Sequence, residues 1–184
     1  MRRYILTGAP GSGKTAILRQ LEVAGHAVVE EAATDVIALH QALGDPEPWQ
    51  DPAFIDHIVD LQRKRQLTAE QVHTAVTFFD RSPVCTLALS RYAAATASAG
   101  LLAEINRMHV EHLYERTVFF IRSQGYVQPT AARRISFEDS LVFEQVHELT
   151  YRELGFELIE VPPAPLKARA ALVQKAIDSP QQPS

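Results

Sequence analysis

The sequence predicts an α/β protein in which a parallel sheet is sandwiched between helices. Five β-prone runs alternate with helical stretches along the 184 residues, without an internal repeat. Two of these runs, Ala75-Val76-Thr77-Phe78-Phe79-Asp80 and Thr117-Val118-Phe119-Phe120-Ile121, are almost continuously apolar. That is the pattern of a strand buried on both faces. A glycine-rich loop, Gly8-Ala9-Pro10-Gly11-Ser12-Gly13, joins the first run to the first helix.

Each element follows from local chemistry. Arg3 to Thr7 is a short β-prone strand, and the helix from Thr15 to Val23 closes at Gly25, which suits a left-handed C-terminal position. Ala27 to Glu30 reads as the second strand, and Glu31 to Asp35 opens a helix toward Leu43. The breaker cluster Gly44 to Gln50 is expected as loop. Asp51-Pro52 then restarts a helix, with Asp as N-cap and Pro at its first position. Phe54, Ile55, Ile58, Val59 and Leu61 give that helix an apolar stripe. After the third strand, Ser82-Pro83 caps a helix running toward Tyr92, and Leu101 to Leu113 forms another. The small residues of Ala93 to Gly100 leave their own state open. Ser136 caps a long helix ending near Leu154 and closed by Gly155; Phe156 to Val161 is the last strand. Pro162-Pro163 breaks it, and Leu166 to Ile177 is a final amphipathic helix. The expected organisation is one domain over 1–178, with a functional loop or lid at about 122–136 and a disordered tail at 179–184.

Bulk composition narrows the function. Hydrophobic content of 46% and charged content of 22% are ordinary for a globular protein. A net charge of −4 offers no global attraction to nucleic acid or anionic membrane, so an anion site must be local. The single cysteine, Cys85, excludes an internal disulfide and suits a reducing compartment. No apolar run approaches the roughly 20 residues of a membrane span, and Met1-Arg2-Arg3-Tyr4 enters a strand without a signal-like apolar stretch. The expectation is a soluble cytoplasmic protein without nucleic-acid or membrane partners, its oligomeric state unspecified.

The glycine loop continues as Gly13-Lys14-Thr15 and fits G-x-x-x-x-G-K-[ST] at every fixed position. Glycines let the backbone turn its N–H groups inward on an anion. Lys14 would reach the terminal phosphates, Thr15 would give its hydroxyl to Mg²⁺, and the helix that follows adds its positive end. Gly8, Ala9, Pro10, Gly11, Ser12, Gly13, Lys14, Thr15 and Ala16 are therefore the expected binding residues for a nucleoside triphosphate. ATP and GTP both remain open, because no motif reads the base.

In parallel α/β sheets, ligands bind beyond the carboxyl ends of the strands. Asp80 ends the third strand and is the expected partner of Thr15 at Mg²⁺. It is followed by Arg81 and not by a second acid, which disfavours motor-type ATPases. Glu30 and Glu31 end the second strand; Glu31 is the preferred acid for taking a proton from a substrate hydroxyl. Arg122, Arg133 and Arg134 bracket the loop after the fourth strand and could clamp phosphoryl oxygens. His109-x-x-His112 and Glu144-x-x-His147 have helical metal-ligand spacing in a fold unsuited to a di-iron bundle, and Cys85 reads as core.

Taken together, GAPGSGKT, VVEEAATDVI, FFDRSPVCTLAL and RRISFEDSLVFEQVHELTYRELGFELIEVP, in that order from Tyr4 to Pro163, resemble the small P-loop ATPases of the AAA_28 type. These are relatives of ribosylnicotinamide-kinase domains and of nucleoside and nucleotide kinases. The resemblance implies a three-layer α/β/α P-loop NTPase fold with kinase-like strand order, the Asp80 strand lying beside the phosphate-loop strand. It further implies that Lys14, Thr15 and Asp80 handle Mg-triphosphate, that Arg81 lies near the acceptor, that 122–136 is a lid and that Glu31 faces the acceptor. Relatives often carry Arg three residues beyond that acid, where this chain has Thr34, so no known substrate transfers with the resemblance. The expected activity is Mg-ATP-dependent phosphoryl transfer to a small metabolite, Lys14, Asp80, Glu31, Arg133 and Arg134 serving catalysis and Glu31, Arg81 and Arg122 the acceptor. The alternative is a nucleotide-dependent switch with slow hydrolysis.

Overall fold

The computed structural model describes residues 1–72, 74–125 and 136–178. Five strands, β1 (Arg2–Thr7), β2 (Ala27–Val29), β3 (Val76–Asp80), β4 (Thr117–Ile121) and β5 (Glu157–Val161), form one sheet in the order β2-β3-β1-β4-β5. Every pairing is parallel. The helices are α1 (Lys14–Val23), α2 (Ala32–Ala42), α3 (Phe54–Glu70), α4 (Pro83–Tyr92), α5 (Ala99–Val110), α6 (Phe137–Glu153) and α7 (Leu166–Asp178).

The three layers follow from strands that are apolar on both faces. Tyr4 and Leu6 of β1, with Phe78 and Phe119, pack against Ile17, Leu18 and Leu21 of α1 and Val173 and Ile177 of α7. Ile5 points the other way, with Val118, onto Val84 and Cys85 of α4, Met108 of α5 and Tyr151 of α6. Burying one such large side chain contributes about 2 kcal/mol. The edge strand β5 keeps Glu157 and Glu160 exposed, because only its inner neighbour demands apolar cover. Among the described residues no helix is long and apolar enough to cross a membrane.

The start of α3 differs from expectation. Asp51-Pro52 does not open the helix, which begins at Phe54 after Ala53. Asp51 instead folds back, its carboxylate accepting from the Ala53 N–H at 2.8 Å and its carbonyl from the Phe54 N–H at 3.0 Å. This local turn satisfies the same donors that a cap would. Pro48–Gln50, inside the expected loop, is a 3-10 turn. The open stretch before α5 resolves into Ser98 as N-cap, accepting from the Leu101 N–H at 3.1 Å. The tail 179–184 and most of the lid segment, including Arg133 and Arg134, lie outside the described residues.

Ser82 caps α4 as expected, accepting from the Val84 N–H at 3.3 Å, and its hydroxyl also meets the Tyr151 hydroxyl at 2.7 Å. Ser82→Ala therefore removes a cap and one of the buried Tyr151 hydroxyl's partners, leaving it Cys85 Sγ at 3.1 Å. A loss of about 2 kcal/mol is expected, read as a fall of about 6 °C in Tm.

Candidate functional site

The carboxyl ends of β1, β2, β3 and β4 converge because the strands run in one direction. In the β1–β3 register Leu6 lies opposite Asp80, so the glycine loop leaves the sheet directly beside that carboxylate. Gly8 has φ 133°, and a Cβ there would stand 2.2 Å from the Ile121 carbonyl oxygen. Only glycine lets the loop pass this close to the end of β4.

Lys14 folds back into the loop. Its Nζ donates to the Gly8 and Ala9 carbonyls at 2.9 Å each and to Ser12 Oγ at 3.3 Å. Burial pulls its pKa down to about 8, with Arg81 adding to the fall while Asp80 and Glu31 oppose it. One residue on, the Thr15 hydroxyl donates to Asp80 Oδ2 at 3.0 Å. Asp80 Oδ1 is buried without a hydrogen-bond partner among the described residues. Burial raises the Asp80 carboxyl, opposed by Lys14 and reinforced by Glu31.

Arg81 has φ 75°, an uncommon conformation for a side-chain-bearing residue. Its N–H still donates to the Leu6 carbonyl at 3.0 Å, continuing the β1–β3 ladder. The turn sends the side chain across to α2 and α6. There its Nε pairs with Glu31 Oε1, and NH1 donates to His147 Nε2 at 3.2 Å. The other ring nitrogen, as Nδ1–H, donates to the Phe143 carbonyl at 2.9 Å. A guanidinium can only donate, so this geometry assigns a neutral imidazole, and burial accordingly holds the His147 pKa well below its ordinary value.

Glu31 is the N-cap residue of α2. Burial raises its carboxyl, but Arg81, Lys14 and the Thr34 hydroxyl (2.8 Å from Oε2) outweigh that and hold it below the usual range. Arg65 fixes the turn itself, donating to the Glu30 carbonyl at 3.0 Å and the Glu31 carbonyl at 2.8 Å. The neighbouring Glu30 instead pairs with Arg19 at the surface.

The structure thus gathers Gly8–Thr15, Asp80, Arg81 and Glu31 at one end of the sheet. Ala16 follows in the first turn of α1. Arg122 is held apart in an acidic clamp: NH1 lies 3.1 Å from Glu144 and 2.8 Å from Glu148, NH2 lies 2.7 Å from Glu160, and the guanidinium stacks 4.5 Å over the Phe120 ring. Glu144 also accepts from the Ser123 N–H at 3.0 Å, so it and His147 serve separate partners. Cys85 is core as expected, between Thr7 and Tyr151. Sequence reasoning missed His147 as the support of Arg81, and missed Arg65 and Arg169. Each lies on a helix where a lone polar residue reads as surface, and no spacing ties it to a strand end.

The sheet order and the glycine loop define a P-loop, kinase-like nucleotide-binding fold. The AAA_28 family model, described as an AAA domain, matches residues 3–169, and the chain belongs to that family. Solved structures with this fold include deoxyadenosine kinase from M. mycoides. The form with products dCMP and a flexible dCDP superposes with a TM-score of 0.64 at 13% identity, covering 96% of this chain and 98% of that one. The dCTP-bound form gives 0.62 at 14% identity, covering 97% and 99%, and the dATP-bound form 0.54 at 14%, covering 97% and 100%. Among curated proteins none matches.

Proposed function

We propose that the protein is a kinase-like phosphotransferase that moves the terminal phosphoryl group of Mg-ATP to a hydroxyl or phosphate of a small metabolite, a nucleoside or nucleotide being the favoured class. The observation that carries this reading is the half-buried Glu31–Arg81 pair beside Lys14 and Asp80. A carboxylate kept ionised at that place is suited to orient an acceptor hydroxyl and take its proton. The nucleotide-bound deoxyadenosine kinase structures support the choice of acceptor class.

The residues present fit a metal-bound triphosphate. Thr15 Oγ1 and Asp80 would hold Mg²⁺, and the unpartnered Asp80 Oδ1 is free to accept from its water shell. Bound there, the metal would neutralise charge on the phosphates. Lys14 exchanges its loop carbonyls for phosphate oxygens, whose charge favours its protonated form. The loop N–H groups and the start of α1 would cradle the anion. The acceptor oxygen would attack the terminal phosphorus, its proton passing to Glu31 as the bond to the nucleoside diphosphate breaks. Arg81, supported by His147, keeps Glu31 ionised until that step. Thr34 occupies Glu31 Oε2, so Thr34 helps define the acceptor pocket. Arg133 and Arg134 remain the proposed phosphoryl clamp, and Arg122 a proposed acceptor contact that must first leave its carboxylates.

The test is turnover of Mg-ATP and Mg-GTP, alone and against nucleosides, nucleotides and vitamin precursors. A compound that raises turnover by orders of magnitude and emerges phosphorylated is the expected result. Tight nucleotide binding with slow turnover across the whole panel would replace the kinase with a nucleotide-dependent switch. Glu31→Gln is expected to lower kcat about a hundredfold or more, with nucleotide affinity changed less than about threefold. Unaltered kcat would remove Glu31 from the chemistry.

A further inference from the structure

Helix α7 brings Arg169 behind the glycine loop, where the side chain is only 2% exposed. Its NH2 donates to the Ser12 carbonyl at 2.7 Å and to the Arg122 carbonyl at 3.3 Å. Its Nε is buried without a hydrogen-bond partner, and among the described residues it forms no ion pair. Burial lowers the Arg169 pKa, yet a guanidinium keeps its proton. A buried cation without a countercharge is costly, and packing alone would be served better by an apolar side chain.

The Ser12 carbonyl and the Gly13 N–H belong to one trans peptide and point in opposite directions. Anchoring Ser12 O on Arg169 therefore turns the Gly13 N–H away from α7. The approach is close: a Cβ on Gly13 would lie 2.9 Å from Arg169 NH1 and 2.8 Å from Gln124 Nε2. Gln124 is itself 3.5 Å from the same Ser12 oxygen. Two donors from different parts of the chain thus converge on one carbonyl of the loop.

We propose that Arg169 is a positioning residue for the phosphate loop. It pins the Ser12 carbonyl so that the Gly13 N–H faces an incoming phosphate, and its unmatched charge is balanced by a bound polyphosphate. This rests on the loop being a nucleotide site, as proposed above. A residue that merely fills space behind the loop would affect stability; this one governs affinity for the anion.

The test compares wild type, R169K, R169M and R169Q as full chains. Mg-ATP and Mg-ADP binding are measured by calorimetry, and melting without nucleotide is measured alongside. R169M is expected to melt within a few degrees of wild type yet bind Mg-ATP about tenfold or more weakly, the loss expected for a charge-assisted hydrogen bond. R169K, which keeps a charge and a donor, is expected within about threefold of wild type. A folded R169M that binds as tightly as wild type overturns the proposal, as does a lower melting temperature with unchanged affinity. Should R169M not fold, R169Q decides: it keeps a donor without the charge, and wild-type affinity there also overturns the proposal. Failure of wild type to bind either nucleotide would instead remove the nucleotide site itself, and this role with it.

Discussion

Replacing Lys14 by alanine is expected to lower nucleotide turnover about a thousandfold, equivalent to about 4 kcal/mol of transition-state stabilisation. The size follows from where the ammonium sits. It is 5% exposed and held by the Gly8 and Ala9 carbonyls and Ser12 Oγ, so water cannot take its place as it would around a surface lysine. Its pKa has fallen to about 8 chiefly through burial, which shows how little solvent supports the charge. Removing it also takes the ammonium from three loop acceptors, of which the Ala9 carbonyl keeps only the Ser12 N–H at 3.2 Å, so the loop loses shape together with charge. Initial rates with the acceptor found in the substrate panel, measured for wild type and Lys14→Ala at matched saturation, check this. Melting curves would separate lost chemistry from lost fold. A residual rate within tenfold of wild type would sink the proposed role of Lys14.

Gly8→Ala is expected to be the most damaging single-methyl change at the site. The new Cβ would fall 2.2 Å from the Ile121 carbonyl oxygen, at a residue whose φ is 133°. Both partners in that overlap are main chain, and Ile121 is held in the sheet by its pairing with Val161. No rotamer can relieve it, so β4 or the loop must move. Strain of this kind costs about 3 kcal/mol, a fall of about 10 °C in Tm for a chain of this size. Binding of Mg-ATP is expected to be lost even in the molecules that stay folded. The control is Gly25→Ala, where φ is 96° but nothing lies within 4 Å; backbone strain alone there should cost about 1 kcal/mol. Equal melting temperatures for the two variants would mean that the close approach to Ile121 does not constrain the loop.

The site was legible to different depths for physical reasons. The glycine loop could be read because its chemistry is local: three closely spaced glycines, a lysine and a threonine act through one turn of backbone. Asp80 and Glu31 could be read one level up, since a carboxylate ending an apolar run falls at the carboxyl edge of a parallel sheet. Their partners could not. Arg81 reaches Glu31 only because its backbone adopts φ 75°, and no residue type announces that. His147, Arg65 and Arg169 lie 66, 34 and 157 positions from the groups they hold. For Arg122 the sequence suggested a phosphate clamp, while the fold surrounds it with Glu144, Glu148 and Glu160. Two of those acids come from α6 and one from β5.

What the sequence determined by itself was the class of fold and the sheet end at which its candidate site residues gather. Periods of burial along each run fix strand or helix, and glycine and proline fix where runs end, because these depend on neighbours a few residues apart. The start of α3 shows the limit even there: Asp51-Pro52 looked like a helix start, and a local turn satisfied the same donors two residues early. The tertiary structure alone decided which carboxylate is paired, which arginine is committed and which carbonyl is pinned. Those outcomes depend on charges brought together across a sheet whose order, β2-β3-β1-β4-β5, places distant segments side by side. Partial burial strengthens the Glu31–Arg81 pair, since the same charges on the open surface would be screened by water.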